Sequence, residues 1–145
     1  PARSLRDAKL SGVIARRWAD FSEATLRACI SNETCRGTEM PTPQLLFDER
    51  GELVSFATLA ILKFGPTRFM MHRYMDGEAA AVELMLHALP SIAHDNKCDI
   101  IGGYVPTLPW LIDIFERSSV YTRATATEQH EFHWHNAKYA SSQSR

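Results

Sequence analysis

The hydrophobic period of this chain changes at Asp76-Gly77, and that change limits the fold more than any other feature. Upstream, residues 44–75 read as strands broken by glycine turns. Downstream, Val82, Met85, Leu86, Leu89, Ile92 and Ala93 recur at steps of three and four, which predicts an amphipathic helix of about fifteen residues. A buried strand at 99–105, ending at Pro106, follows that helix. A strand, a crossover helix and a second strand force two parallel neighbours in one sheet.

The rest of the chain is read around this unit. Strand 44–48 turns at Asp48-Glu49-Arg50-Gly51, where Gly51 can take the positive φ of a tight hairpin. Strand 52–63 returns, Gly65-Pro66 turns again, and 68–75 completes an antiparallel meander. Near the start, Leu10, Val13, Ile14, Trp18 and Phe21 step by three and four and predict one helix. Ser22 predicts the N-cap of a second, with Phe21 and Leu26 as a staple and Leu26, Cys29 and Ile30 facing inward. Residues 31–43 read as loop. Beyond Pro106, Leu108, Leu111, Ile112 and Phe115 mark another helix, and 120–127 and 131–136 read as closing strands. The expected order is ααβββαβαββ, an α/β (α+β) arrangement on a mixed sheet.

With 145 residues, 45% hydrophobic and 23% charged, one domain over 1–138 is expected, with a frayed polar tail at 139–145. Sixteen basic against 17 acidic residues, net −1, argue against a nucleic-acid partner. The sequence contains no apolar run of about 20 residues, so no membrane span is expected. Three cysteines, Cys29, Cys35 and Cys98, show no CxxC spacing. They predict neither a disulfide framework nor structural zinc, and point to a reducing intracellular compartment, cytoplasmic or mitochondrial. The chain opens at Pro1 with no initiator Met or apolar leader, which predicts a missing or processed start.

The succession of elements resembles the GNAT N-acetyltransferase superfamily without its first strand. Trp18, Cys29-Ile30, the passage 45–56, the unit 69–93 and the ending Phe132-His133-Trp134-His135-Asn136 are similar to the C-terminal half of glycine N-acyltransferases. This resemblance implies an acyl-CoA substrate, acetyl-CoA or a longer homologue, lying between the strands that flank the long helix. Its pyrophosphate would sit on the helix N-terminus, where free N–H groups attract anions. It implies acyl transfer to a small-molecule or amino-acid amine by direct attack, with no metal. Tyr74-x-x-Gly77-x-Ala79 keeps the glycine spacing of the family's phosphate loop, with Tyr in place of Gln or Arg. Arg73 stands one position further out. The implied cofactor contacts are Arg73, Tyr74, Gly77, Glu78 and Ala79. Asp76 and Glu78 add two acids that are expected to repel phosphate. The Asn that often contacts the cofactor is missing from 106–110, and no carboxylate base is evident in 64–68.

Several residues could carry chemistry. Aminolysis of a thioester needs a base for the amine and a proton donor for the thiolate. His72 is the candidate base, against a reading as a hydrogen-bonded structural residue. Tyr121 and Tyr104 are the candidate donors, against rings packed in the core. Gly102-Gly103 marks a bulge presenting backbone to the acyl arm, or a plain bend before Pro106. His130-x-x-His133-x-His135 reads as a substrate-facing or surface group, with a metal pair as its alternative. Arg16, Arg17 and Arg36 read as solvated charges, and Cys98 as a small apolar residue. Two rivals accompany the transferase. One is a non-catalytic interaction or regulatory domain, with a protein partner or a missing N-terminal half. The other is aminoacyl or peptidyl transfer from a different activated carrier.

Overall fold

The computed structural model describes residues 5–31, 39–106, 108–118, 121–126 and 130–134, with 122–126, 130–134, Arg6 and Tyr104 described through their backbone. The expected tail at 139–145 and Cys35 lie outside the described residues. Strand β1 (Lys9–Leu10) leads into helix α1 (Gly12–Arg17) and helix α2 (Glu23–Ser31). Strands β2 (Gln44–Phe47), β3 (Glu52–Phe64) and β4 (Thr67–Gly77) follow, then helix α3 (Ala79–Asp95), strand β5 (Ile100–Val105) and helix α4 (Pro109–Arg117). Strands β6 (Thr122–Ala126) and β7 (His130–Trp134) close the order.

The expected α/β arrangement is present, with two local differences. The first helix is shorter than its apolar period suggests, and Leu10 belongs to a strand. Lys9 and Leu10 pair in parallel with Glu52 and Leu53, so a short first strand is present where none was expected. The helix begins after Ser11, whose Oγ accepts from the Ile14 N–H at 3.3 Å and ends β1 there. Ser22 caps α2 as expected, accepting from the Thr25 N–H at 3.1 Å. In α4 the buried residues are Leu111, Ile114 and Phe115, while Leu108 caps the helix and stays exposed.

Both hairpin turns form where glycine permits them. Gly51 adopts φ 83° and Gly65 φ 61°. The Asp48 carboxylate accepts from the Glu52 and Arg50 N–H groups, and these bonds hold its pKa below the usual carboxylate value. Strand β3 is buried without interruption from Leu53 to Ile61. A central strand covered on both sides loses the alternation that an edge strand shows.

The strands run in the order β1-β3-β4-β5-β7-β6, with β2 also on β3. Two cores form. Val82, Leu86, Leu89 and Ala93 of α3 pack with Leu59, Met70, Ile101 and the inner side of α4. Ile14, Leu26 and Ile30 pack with Leu53 and Phe56. At roughly 1.5–3 kcal/mol for each fully buried large apolar side chain, these stripes hold the helices on the sheet. Among the described residues, no helix is long and apolar enough to cross a membrane.

Candidate active site

Strands β4 and β5 pair in parallel over three positions, Phe69↔Ile100, Met70↔Ile101 and Met71↔Gly102. Beyond Met71 and Gly102 the ladder stops, although β4 continues to Gly77 and β5 to Val105. Each arm stays bonded to its outer neighbour, β4 to β3 and β5 to β7. At the closed end Arg68 and Asp99 lock the strands together. The Arg68 N–H donates to Asp99 Oδ2 at 2.8 Å, and the Asp99 N–H donates to the Arg68 carbonyl at 2.8 Å. Arg68 Nη2 also donates to Glu39 at 2.9 Å, a bond that lowers the Glu39 pKa. The result is a wedge, closed at one end and open at the other.

Local irregularities open it. The β3–β4 register shifts between Thr58↔Tyr74 and Leu59↔His72, so Arg73 is the extra residue of a bulge. A bulge bends its strand and re-aims side chains. The wedge holds a cavity of about 850 Å³. His72, Arg73, Tyr74 and Met75 form its β4 wall, with Val105, Pro106, Leu111 and Phe115 opposite. Arg17, Trp18, Phe21 and Cys29 cover its remaining side.

His72 is buried at 6% exposure, with its ring 5.6 Å from that of Phe115. Gly103, at φ 146°, lies against it, and a Cβ there would come within 2.8 Å of the imidazole. Gly102 is the last residue of β5 paired with β4, so the two glycines sit where the wedge begins. Arg73 lies over the Tyr74 ring at 5.4 Å, and Tyr74 meets Trp18 edge-on at 6.3 Å.

The start of α3 differs from what the resemblance implies. Gly77, at φ 144°, has no room for a Cβ, which would sit 2.2 Å from the Val54 carbonyl. Its glycine is required by close packing on β3. The Gly77 N–H donates to the Asp76 carboxylate at 2.7 Å, and the Glu78 N–H to the Val54 carbonyl at 2.8 Å. Glu78 is the N-cap and makes no side-chain cap bond. The N–H groups of Ala79, Ala80 and Ala81 therefore remain as the open donors of the helix, since Val82 makes the first intrahelical bond to Glu78.

The expected repulsion by Asp76 is corrected by the fold. Asp76 is buried and paired with Arg17 Nη1, and its Oδ2 accepts from Trp18 Nε1 at 2.7 Å. Arg17 Nη1 also donates to the Gly77 carbonyl at 2.7 Å, and its guanidinium lies 3.9 Å from the Trp110 ring centroid. Arg17 is thus part of the site, not a solvated charge. Reading the sequence alone missed Arg17, Trp110 and Phe115. The nearest signal was Arg17 beside Trp18 at the end of an amphipathic segment.

Tyr121 is not on the cavity wall. It is buried behind Phe115, the ring centroids 5.0 Å apart, and its hydroxyl has no hydrogen-bond partner among the described residues. Burial pushes its pKa far above the ordinary tyrosine value. Burial likewise raises the Cys98 thiol. The Tyr104 side chain and those of His130-x-x-His133-x-His135 lie outside the described residues. Among the described residues, no three metal-ligating side chains cluster.

Known structures share this architecture. An acetyltransferase from Bacillus cereus matches with a TM-score of 0.53 at 14% identity, covering 92% of this chain and 100% of its own. The architecture is GNAT-like. A protein assigned as a phosphinothricin N-acetyltransferase superposes with a TM-score of 0.62 at 11% identity, over 94% of this chain and 97% of that one. TofI, crystallised with an inhibitor and MTA, matches with a TM-score of 0.53 at 14% identity, over 95% and 93% of the two chains. No protein-family model and no curated protein sequence matches the chain. At these identities the likeness is one of fold.

Proposed function

We propose that this chain is an N-acyltransferase that moves an acyl group from acyl-CoA to a small-molecule or amino-acid amine by direct attack within the wedge. The observation that carries the proposal is the end of the β4–β5 ladder at Met71↔Gly102, which leaves a cavity beside an uncapped helix N-terminus. The residues present fit acyl-CoA. The Ala79, Ala80 and Ala81 N–H groups and the cationic Arg73 suit its phosphates, and the gap suits its extended arm. Bound acyl-CoA would supply an activated thioester.

The chain's own groups do the rest. Side chains and N–H groups alternate along β4, so part of its backbone donors beyond Met71 face the gap and can polarise a carbonyl. His72 accepts the proton that the attacking amine gives up. The apolar lining of Phe115, Leu111 and Met75 excludes water that would hydrolyse the thioester. The Tyr104 hydroxyl is the proton donor to the departing thiolate in this scheme, and the Gly102-Gly103 backbone would flank the acyl arm. The finer likeness to glycine N-acyltransferases rests on sequence passages alone.

The test is thermal unfolding with and without acetyl-CoA, followed by thiol release with a panel of amines. Ligand at about 100 times its dissociation constant should add about 2.7 kcal/mol of apparent stability. No shift at millimolar acetyl-CoA would overturn the reading and favour a non-catalytic use of the same fold.

A further inference from the structure

The Arg17 side chain enters the cavity already held. Its Nη1 donates to the Asp76 carboxylate and the Gly77 carbonyl, and its guanidinium carbon lies over the Trp110 ring. A guanidinium presents five N–H donors in a rigid fork. Nη1 accounts for two of them, and no described residue accepts from Nε or Nη2. That remaining edge is the one that meets a carboxylate or phosphate side-on, through two parallel hydrogen bonds. The side chain lines the cavity and is 31% exposed, so the edge is both accessible and partly desolvated.

Its surroundings strengthen the argument. Asp76 is fully engaged, taking Arg17 and the Gly77 N–H on Oδ1 and Trp18 on Oδ2, so it fixes the fork without covering the free edge. Holding a long side chain in advance removes much of the ordering cost of binding. The neighbouring walls are aromatic and apolar, from Trp18, Phe21 and Phe115, which makes a charge contact worth more than in water. Arg73 adds a second cation to the same cavity, and among the described residues Asp76 is its only lining carboxylate.

We propose that the Nε–Nη2 edge of Arg17 is an oxyanion site, binding carboxylate or phosphate oxygens of a ligand whose apolar body fills the aromatic cavity. The proposal deepens the acyl-transfer reading and rests on it only for the choice between donor and acceptor. The oxyanion belongs either to the CoA phosphates or to a carboxylate on the acceptor amine.

The experiment uses the whole chain. The Arg17 Nε–H is followed by ¹⁵N-edited NMR during titration with phenyl phosphate and with phenylacetate, and is assigned by its loss in Arg17→Lys. Lys keeps the charge beside Asp76 but has no fork. The expected result is a downfield shift of that proton with at least one probe, and binding weakened about tenfold or more in Arg17→Lys. Two paired comparisons then identify the source. A loss for coenzyme A but not pantetheine assigns the phosphates, and a loss for phenylalanine but not phenethylamine assigns the acceptor carboxylate. Arginine Nε–H signals of the wild-type chain that all stay unmoved by both probes overturn the proposal, even where Arg17→Lys fails to fold. So does a folded Arg17→Lys chain that binds both probes as tightly as wild type. Silence toward acetyl-CoA alone would remove the acyl-transfer reading and leave the two aromatic probes to decide the Arg17 site.

Discussion

Gly103 and His72 occupy one space across the mouth of the wedge: the side chain that Gly103 lacks would lie 2.8 Å from both Cε1 and Nε2 of His72. The glycine sets the position of the imidazole. At φ 146° it also holds a backbone conformation that L side chains avoid. Gly103→Ala should therefore cost about 2–3 kcal/mol in chemical denaturation, by overpacking and backbone strain together. The variant should also lose acyl transfer beyond its loss of stability. A stability equal to wild type would show that His72 has room to move.

Two other glycines form a contrasting pair. Gly77→Ala drives a Cβ to 2.2 Å from the Val54 carbonyl, so it should be severely destabilised, by about 3 kcal/mol or more. Gly65 has no described residue within 4 Å of the same atom, and its φ of 61° is the obstacle that remains. Gly65→Ala should cost only about 1 kcal/mol. Urea unfolding of the two variants checks the order. Equal losses would mean that the packing of Gly77 on β3 does not matter.

Asp76→Ala should destabilise the fold by about 2–4 kcal/mol, because Arg17 and the Trp18 indole both lose their acceptor in a partly buried site. Trp18 fluorescence should shift with it. The ordinary expectation for an acid beside a phosphate site is the reverse, tighter coenzyme A binding on removal of the charge. Calorimetric titration with coenzyme A separates the two, and a gain in affinity at unchanged stability would sink the pairing argument.

The buried Tyr121 hydroxyl makes no hydrogen bond to any described residue. Removing an unsatisfied group from a core is neutral or favourable, so Tyr121→Phe should be as stable as wild type or gain about 1 kcal/mol. The effect depends on pH with a definite sign. The folded-state pKa is raised by burial, so the unfolded chain ionises first as pH climbs past about 10. Wild type should lose stability relative to Tyr121→Phe above that pH, and the gap should be constant below it. The same variant reports on proton donation. A kcat loss without a stability loss would mean that the hydroxyl reaches the wedge.

Cys98 is buried with a raised thiol pKa, whereas Cys29 lies half-buried on the cavity wall. Maleimide labelling near neutral pH should modify Cys29 first and leave Cys98 unmodified in the folded chain. Faster reaction at Cys98 would show that the closed end of the wedge opens.

What the sequence by itself determined is the local part. The turns at Gly51 and Gly65, the Ser22 cap, the α3 stripe and the order of strands depend on neighbours within a few positions, and their period and turn chemistry are written in the chain. The crossover from β4 through α3 to β5 is legible for the same reason. Only the tertiary structure decided the rest. Arg17 and Asp76 are 59 positions apart, and no pattern of nearby residues marks their pairing. The packing demand on Gly77 shows only when β3 is laid against it. The bulge at Arg73 arises from pairing between two strands, and the contact of Arg17 with the Trp110 ring joins helices from separate cores. Burial, charge pairing and close backbone approach are properties of the assembled molecule, because each depends on what a distant segment brings into contact.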